Sequence, residues 1–162
     1  MNIISPRAKI SSLSDIEEST RGSKLIVKDG VMIDSFVKIK FTGGSGDIEI
    51  GEDSFINSGC ILYSGNGIKI GKNVLIAANC TFAAVNHQFE LRSKTIREQR
   101  FMPSEGGIII EDDVWIGAGV VILDGSHIKK GTVIGAMAVV NFKTEEYGVY
   151  AGHPLELKKF RV

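Results

Sequence analysis

Residues Ile110–Val140 read IEDDVWIGAGVVILDGSHIKKGTVIGAMAVV. An aliphatic residue returns every six positions, at Ile110, Ile116, Ile122, Ile128, Ile134 and Val140. Four residues after each of the first five stands Val114, Val120, Ser126, Thr132 or Ala138, all small or β-branched. A period of about six matches neither an amphipathic helix nor a long alternating strand. It fits short strands joined by turns, with positions i and i+4 of each hexapeptide facing inward. This is the pattern of a parallel β-helix, in which three hexapeptides make one triangular coil of about 18 residues.

The period extends upstream through Val27, Ile33, Ile39, then Ile50, Ile56, Leu62, then Ile70, Ile76, Phe82. From Val27 to Ile50 is 23 residues, from Ile50 to Ile70 is 20, and from Ile70 to Ile110 is 40. If every coil starts on the same side, all the extra residues fall at one corner, after the third hexapeptide. Solenoids often group insertions on their binding face. The largest insertion opens beside His87 in TFAAVNHQF (Thr81–Phe89) and continues as the basic text ELRSKTIREQRFMPSEGG (Glu90–Gly107). Asn66 and Gly67 share that corner one coil earlier, and His127 is expected there one coil later. Cys60 and Cys80 are both i+4 residues, expected inside as stacked free thiols on adjacent rungs.

The 162 residues suffice for one domain with its own core. We expect residues 1–26 to form an N-terminal cap with a short helix or turn, and 27–142 to form the coils, with an extruded loop at 88–107. Residues 143–162 are expected to turn at Gly152-His153-Pro154 and end in a short C-terminal helix over Leu155–Phe160. Nineteen basic and nineteen acidic residues give a formal net charge of zero, which argues against a nucleic-acid partner. No apolar run is long enough for membrane insertion, and the opening MNIISPRAKISS lacks a signal peptide's apolar centre, so a cytoplasmic location is expected.

Taken together, IGKNVLIAANCTF with VNH, IIIEDDVWIGAGVVIL, GTVIGAMAVV and YAGHPLELKKF resemble the left-handed β-helix acetyltransferases with hexapeptide repeats. The likeness covers roughly residues 48–160. It is greatest to the sugar O-acetyltransferases: the galactoside, maltose and nodulation-factor enzymes and those that decorate lipopolysaccharide or capsule. The resemblance implies the left hand, acetyl-CoA as co-substrate and no metal. It also implies a homotrimer with active sites between subunits and a carbohydrate acceptor, in surface polysaccharide biosynthesis.

By the same resemblance His87 is the general base, its imidazole suited to taking a hydroxyl proton. Ala118 supplies a backbone N–H to the oxyanion. Trp115 borders the cleft, Gly117 and Ala136 let coenzyme A approach the turns, and Lys143 and Lys159 meet its phosphates. Asn57 matches an acceptor-binding asparagine. Asn66 and Asn86 either contact sugar hydroxyls or ladder in the wall. Where the galactoside-type enzymes carry an acidic pair, this chain has Ser64-Gly65, which weakens galactoside or maltose as acceptor. Arg92, Lys94, Arg97 and Arg100 could attract an anionic acceptor, or be a solvated loop balanced by Glu90, Glu98 and Glu105.

Three other readings remain open. N-acetylation of a nucleotide-linked amino sugar would use the same base. A zinc lyase of the γ-class carbonic anhydrase kind needs three converging histidines, and the chain has only His87, His127 and His153. The third is a structural β-helix without catalysis.

Overall fold

The computed structural model describes residues 1–162. Nearly every element is a strand of two to five residues, and three parallel sheets wrap one core. The first face stacks Ile3–Ile4, Leu25–Val27, Ile48–Ile50, Ile68–Ile70, Ile108–Ile110 and His127–Ile128. The second stacks Lys9–Ile10, Met32–Ile33, Phe55–Ile56, Leu75–Ile76, Trp115–Ile116, Val133–Ile134 and Gly148–Ala151, with Glu156–Phe160 added antiparallel. The third stacks Asp15–Ile16, Lys38–Lys40, Ile61–Tyr63, Thr81–Ala83, Val121–Leu123 and Val139–Val140. The chain is a parallel β-helix.

The register follows the hexapeptide phase. Val27 aligns with Ile50, Ile50 with Ile70, Ile70 with Ile110, and Ile110 with Ile128. The extra residues therefore all leave at the corner between third and first faces. The period-six residues are buried, and so are the i+4 residues of the first two hexapeptides in each coil, from Val31 and Val37 through Ala138; at the corner with insertions the i+4 residues Gly43, Asn66 and Asn86 are only half-buried. The inward positions leave no polar atom in the centre apart from small hydroxyls and two thiols, most of them hydrogen-bonded. Ser126 Oγ, for example, donates to Val140 O at 3.0 Å. Each such aliphatic stabilises the coil by roughly 1.5–3 kcal/mol relative to exposure.

Cys60 and Cys80 are free and buried, and both thiols lie 3.2 Å from Ala77 O. Their mutual hydrogen bond, together with burial, pushes the Cys60 thiol up and keeps it protonated.

Two terminal expectations are corrected. Residues 1–26 contain no helix: Ile3–Ile4, Lys9–Ile10 and Asp15–Ile16 form a full first coil, pairing with the second coil on all three faces. The expected C-terminal helix over Leu155–Phe160 is instead a strand, Glu156–Phe160, returning antiparallel along Gly148–Ala151. An isolated six-residue helix is marginal in water. The exposed ladder edge of Gly148–Ala151 offers hydrogen bonds to a returning strand, and the turn at Gly152 (φ 98°) sends the chain back.

Candidate active site

The excursion leaves the third face after Ala83 and rejoins the first at Ile108. Its base is a short antiparallel contact: His87 bridges Phe101, Gln88 N–H donates to Arg100 O at 3.0 Å, and Met102 N–H donates to Asn86 O at 2.8 Å. Farther out, Thr95 caps the turn Ile96–Gln99 through a capping box with Glu98. The Gln99 amide holds Leu91 from both sides, accepting from its N–H at 2.9 Å and donating to its C=O at 3.1 Å. The loop is thus folded on itself. It nevertheless leaves Phe89, Leu91 and Ile96 more than half exposed.

His87 is exposed, with its ring packed on Phe101 at 4.6 Å between centroids. Its Nδ1 lies 3.2 Å from Arg100 O. A carbonyl only accepts, so Nδ1 carries the hydrogen. In the neutral ring the lone pair is then on Nε2, which makes no hydrogen bond within the chain. Phe101 and the Arg100 carbonyl are partners of the His87 ring that sequence reading missed. The single aromatic in a polar, basic stretch was the available signal for Phe101.

The other site residues lie elsewhere. Asn57, Gly117, Ala118 and Ala136 stack at the corner between second and third faces, which turns as Asn57-Ser58-Gly59, Ala77-Ala78-Asn79, Gly117-Ala118-Gly119 and Gly135-Ala136-Met137. In the earlier coils a side chain closes this turn: Asp34 accepts from Ser35 N–H at 2.7 Å, and Asn57 accepts from Ser58 N–H at 2.8 Å. In the later coils alanine replaces that residue's neighbour, and the N–H groups of Ala118 and Ala136 donate to nothing in the chain. Both alanines are exposed. At Gly117 a Cβ would meet Ala136 N at 2.6 Å, so only glycine lets the two turns stack this closely.

Trp115 is 54% exposed in the outward row of the second face, Met32, Phe55, Leu75, Trp115, Val133, Val149. It borders a cleft of about 260 Å³ together with Leu75, Val133 and Arg161. Lys143 lies beside His127 on the first face, and Lys159 lies opposite Val149 on the terminal hairpin. One chain therefore brings Asn66, Asn86 and His87 to one corner, and Asn57, Gly117, Ala118 and Ala136 to another. It does not bring the two groups together.

Three side chains differ from expectation. Asn66 ladders with no asparagine: its Nδ2 donates to Asp124 Oδ2 at 2.9 Å. Asn57 turns its oxygen into its own corner, away from His87. His127 is a first-face residue aligned with Ile109, not a corner residue, and its Nε2 lies 2.6 Å from Glu111 Oε1. Burial raises the Glu111 pKa, but the Lys130 N–H and His127 outweigh it and hold the carboxyl below the usual range. The three histidines occupy three separate places, and no group of three or more His, Cys, Asp or Glu side chains is placed to hold a metal ion. Ser64 and Gly65 are buried, so this position presents nothing to an acceptor. Arg92, Lys94, Arg97 and Arg100 form no ion pair, while Glu98 is committed to Thr95. No helix is long and apolar enough to cross a membrane.

Comparison with known proteins agrees with this architecture. Residues 107–141 match the family model for the bacterial transferase hexapeptide (six repeats), and 47–82 match that for the hexapeptide repeat of succinyl-transferase. The galactoside O-acetyltransferase of Escherichia coli (strain K12) is 34% identical over 116 residues, which are 72% of this chain and 55% of that one. The 2,3,4,5-tetrahydropyridine-2,6-dicarboxylate N-acetyltransferase of Staphylococcus aureus (strain JH9) is 36% identical over 89 residues, 55% of this chain and 31% of the relative. The chain spans about half the length of the curated relatives it matches.

Among solved structures, a mutant of AntD, an N-acyltransferase from Bacillus cereus, was determined with dTDP-4-amino-4,6-dideoxyglucose and coenzyme A. It superposes with a TM-score of 0.81 at 25% identity, covering 99% of this chain and 84% of that one. A hexapeptide-repeat acetyltransferase from Vibrio cholerae O1 biovar eltor, complexed with acetyl coenzyme A, gives a TM-score of 0.66 at 27% identity over 80% and 67% of the two chains. The fold class is the left-handed parallel β-helix of hexapeptide repeats.

Proposed function

We propose, from the premise that this chain is a hexapeptide-repeat protein related to the acetyltransferases, that it transfers the acetyl group of acetyl-CoA to a sugar hydroxyl. The observation that carries this reading is the orientation of His87: Nδ1–H on the Arg100 carbonyl, Nε2 free and exposed at the corner where the excursion begins. A ring held this way is ready to take a proton at Nε2.

The reading assigns each group one task. Acetyl-CoA supplies the thioester carbon. His87 Nε2 takes the acceptor's O–H proton as that oxygen forms its bond to the carbonyl carbon. The Ala118 N–H, unused within the chain, donates to the carbonyl oxygen as it becomes an oxyanion. When the carbon–sulfur bond breaks, protonated His87 returns the proton to the leaving thiolate. Gly117 and Ala136 keep the second corner low enough for the pantetheine arm, Trp115 flanks it, and Lys143 and Lys159 offer charge to its phosphates. Asn86 lies beside the base on the acceptor side, whereas Asn57 and Asn66 have less claim because their side chains are engaged.

His87 and Ala118 sit at different corners, so the site requires the His87 corner of one copy against the second corner of another. A closed homotrimer satisfies this, because one heterologous contact repeated by rotation makes every site alike. The exposed apolar row of the second face and the exposed Phe89, Leu91 and Ile96 of the excursion are surfaces such contacts would cover. A cytoplasmic role in assembling surface polysaccharide fits this chemistry.

N-acetylation of a nucleotide-linked amino sugar is the second reading, favoured by the likeness to AntD over 99% of this chain. The two are separated by following free thiol release from acetyl-CoA against neutral sugars, sialic acids, nucleotide sugars and 4-amino sugars. Turnover on hydroxyl acceptors that His87→Ala abolishes supports the first. Turnover confined to amino sugars supports the second. Absence of acetyl-CoA binding overturns both.

A further inference from the structure

Asp124 is 3% exposed and is the one charged side chain among the buried residues. A buried carboxylate is costly unless its oxygens are satisfied. Here Oδ1 accepts from Gly107 N–H at 2.9 Å, while Oδ2 accepts from Glu105 N–H at 3.0 Å and from Asn66 Nδ2 at 2.9 Å. No cation contributes, and oriented amide dipoles hold the charge.

Two of these three donors are the last backbone groups of the excursion before the first-face strand resumes at Ile108. Gly125 N–H adds a bond to Gly107 O at 2.8 Å. Only Met102, Pro103 and Ser104 separate this root from Phe101 and Arg100, the residues that pack against the His87 ring and accept its Nδ1–H. So short a lead transmits a shift at the root to the imidazole.

We propose that Asp124 is a positioning residue: it fixes the downstream root of the excursion and, through residues 101–107, sets where His87 Nε2 points. The proposal rests on His87 being the base. A displacement of about 1 Å at a reacting group costs about 10²-fold in rate. The carboxylate never needs to touch substrate.

The test is Asp124→Asn, which keeps the shape but turns one accepting oxygen into a donor facing a backbone N–H. Hydrogen exchange read by mass spectrometry should speed up by about tenfold or more over residues 100–107, and stay unchanged in the Ile48–Ile50 and Ile68–Ile70 strands. Turnover on the acceptor that the wild type uses should fall by about 10–10² fold in kcat. KM for acetyl-CoA should stay within about twofold, because the second corner is untouched. A role in general stability would instead speed exchange everywhere and scale activity with the folded fraction.

If Asp124→Asn does not fold, Asn66→Ala, which removes one donor and leaves the carboxylate its two backbone partners, should show the same pattern more weakly. Unchanged exchange at 100–107, or faster exchange with kcat intact, overturns the proposal. If the wild type turns over no acceptor, the reading of His87 fails first, and exchange alone still decides whether Asp124 anchors the segment.

Discussion

The corner between second and third faces and the corner between third and first faces obey different rules. At the former, four residues join the strands in every coil, and from the second coil on the third of them adopts positive φ whatever its type: 63° at Phe36, 73° at Gly59, 61° at Asn79, 68° at Gly119 and 61° at Met137. Phenylalanine and methionine accept a cost of about 1–2 kcal/mol there, so packing of the strands on either side dictates the turn. At the latter, the connection ranges from Asp124–Ser126 to the span 84–107. The uniform corner repeats one backbone arrangement along the stack, which suits a long flexible ligand lying across several coils. The irregular corner gives a single side chain a unique place. The proposed acetyl transfer needs both, and one chain keeps them apart.

The largest expected effect breaks the irregular corner's chemistry and leaves its fold. His87→Ala should lower turnover by about 10²–10⁴ fold, with the circular dichroism spectrum and melting temperature close to the wild type's, since the ring is exposed and only its packing on Phe101 and its Nδ1–H bond to Arg100 O are lost. A variant that keeps full turnover removes His87 from its role.

Two glycines compare the corners by stability. At Gly107 (φ 78°) an added Cβ would stand 2.5 Å from Gly67 O, a backbone atom of the neighbouring coil. At Gly119 (φ 68°) it would meet Met137 Sδ, the movable end of a side chain. Gly107→Ala should cost about 3 kcal/mol in denaturant unfolding, and Gly119→Ala about 1 kcal/mol. Equal costs would show that the irregular corner is no more tightly built than the regular one.

Ser64 lies where the irregular corner begins, fully buried, and its hydroxyl has no partner. Ser64→Ala should raise stability by about 1 kcal/mol, and a loss instead would reveal a bonded hydroxyl. The smallest effect concerns Glu111, on the first face's side of the coil. Its folded pKa is lowered, so its contribution is present above the unfolded value and is lost as pH falls through the folded one. Glu111→Gln should flatten the loss of stability below about pH 4.5, by under ~1 kcal/mol for so exposed a pair.

The coils were legible because a solenoid repeats its own evidence: each inward residue is confirmed six positions on. The first coil carried the same signal at Ile4, Ile10 and Ile16, yet read as a cap. Its i+4 positions are Ala8 and Ser14, and its edge residues Ile3 and Ile4 remain about half exposed at the open end. The terminal hairpin was not legible. What decides it is the free edge of Gly148–Ala151, a tertiary feature that overrides the helix-compatible LELKKF. Of the candidate site, the corner that holds His87 followed from arithmetic on the period. The Asn66–Asp124 bond did not, because 58 residues and the path of the excursion lie between its partners. An aspartate closing the run VVILDG was its only trace.

The most direct test of a site shared between copies is complementation. His87→Ala removes the base from one corner. Ala118→Trp fills the other corner at an exposed position while leaving the coil intact. Each variant alone should be inactive on acetyl-CoA and acceptor. Mixed and reassembled, they should recover part of the wild-type turnover, because some sites then pair an intact His87 from one chain with an open second corner from another. No recovery, with mixed assemblies confirmed by native mass spectrometry, would contradict a site built between two copies of this chain.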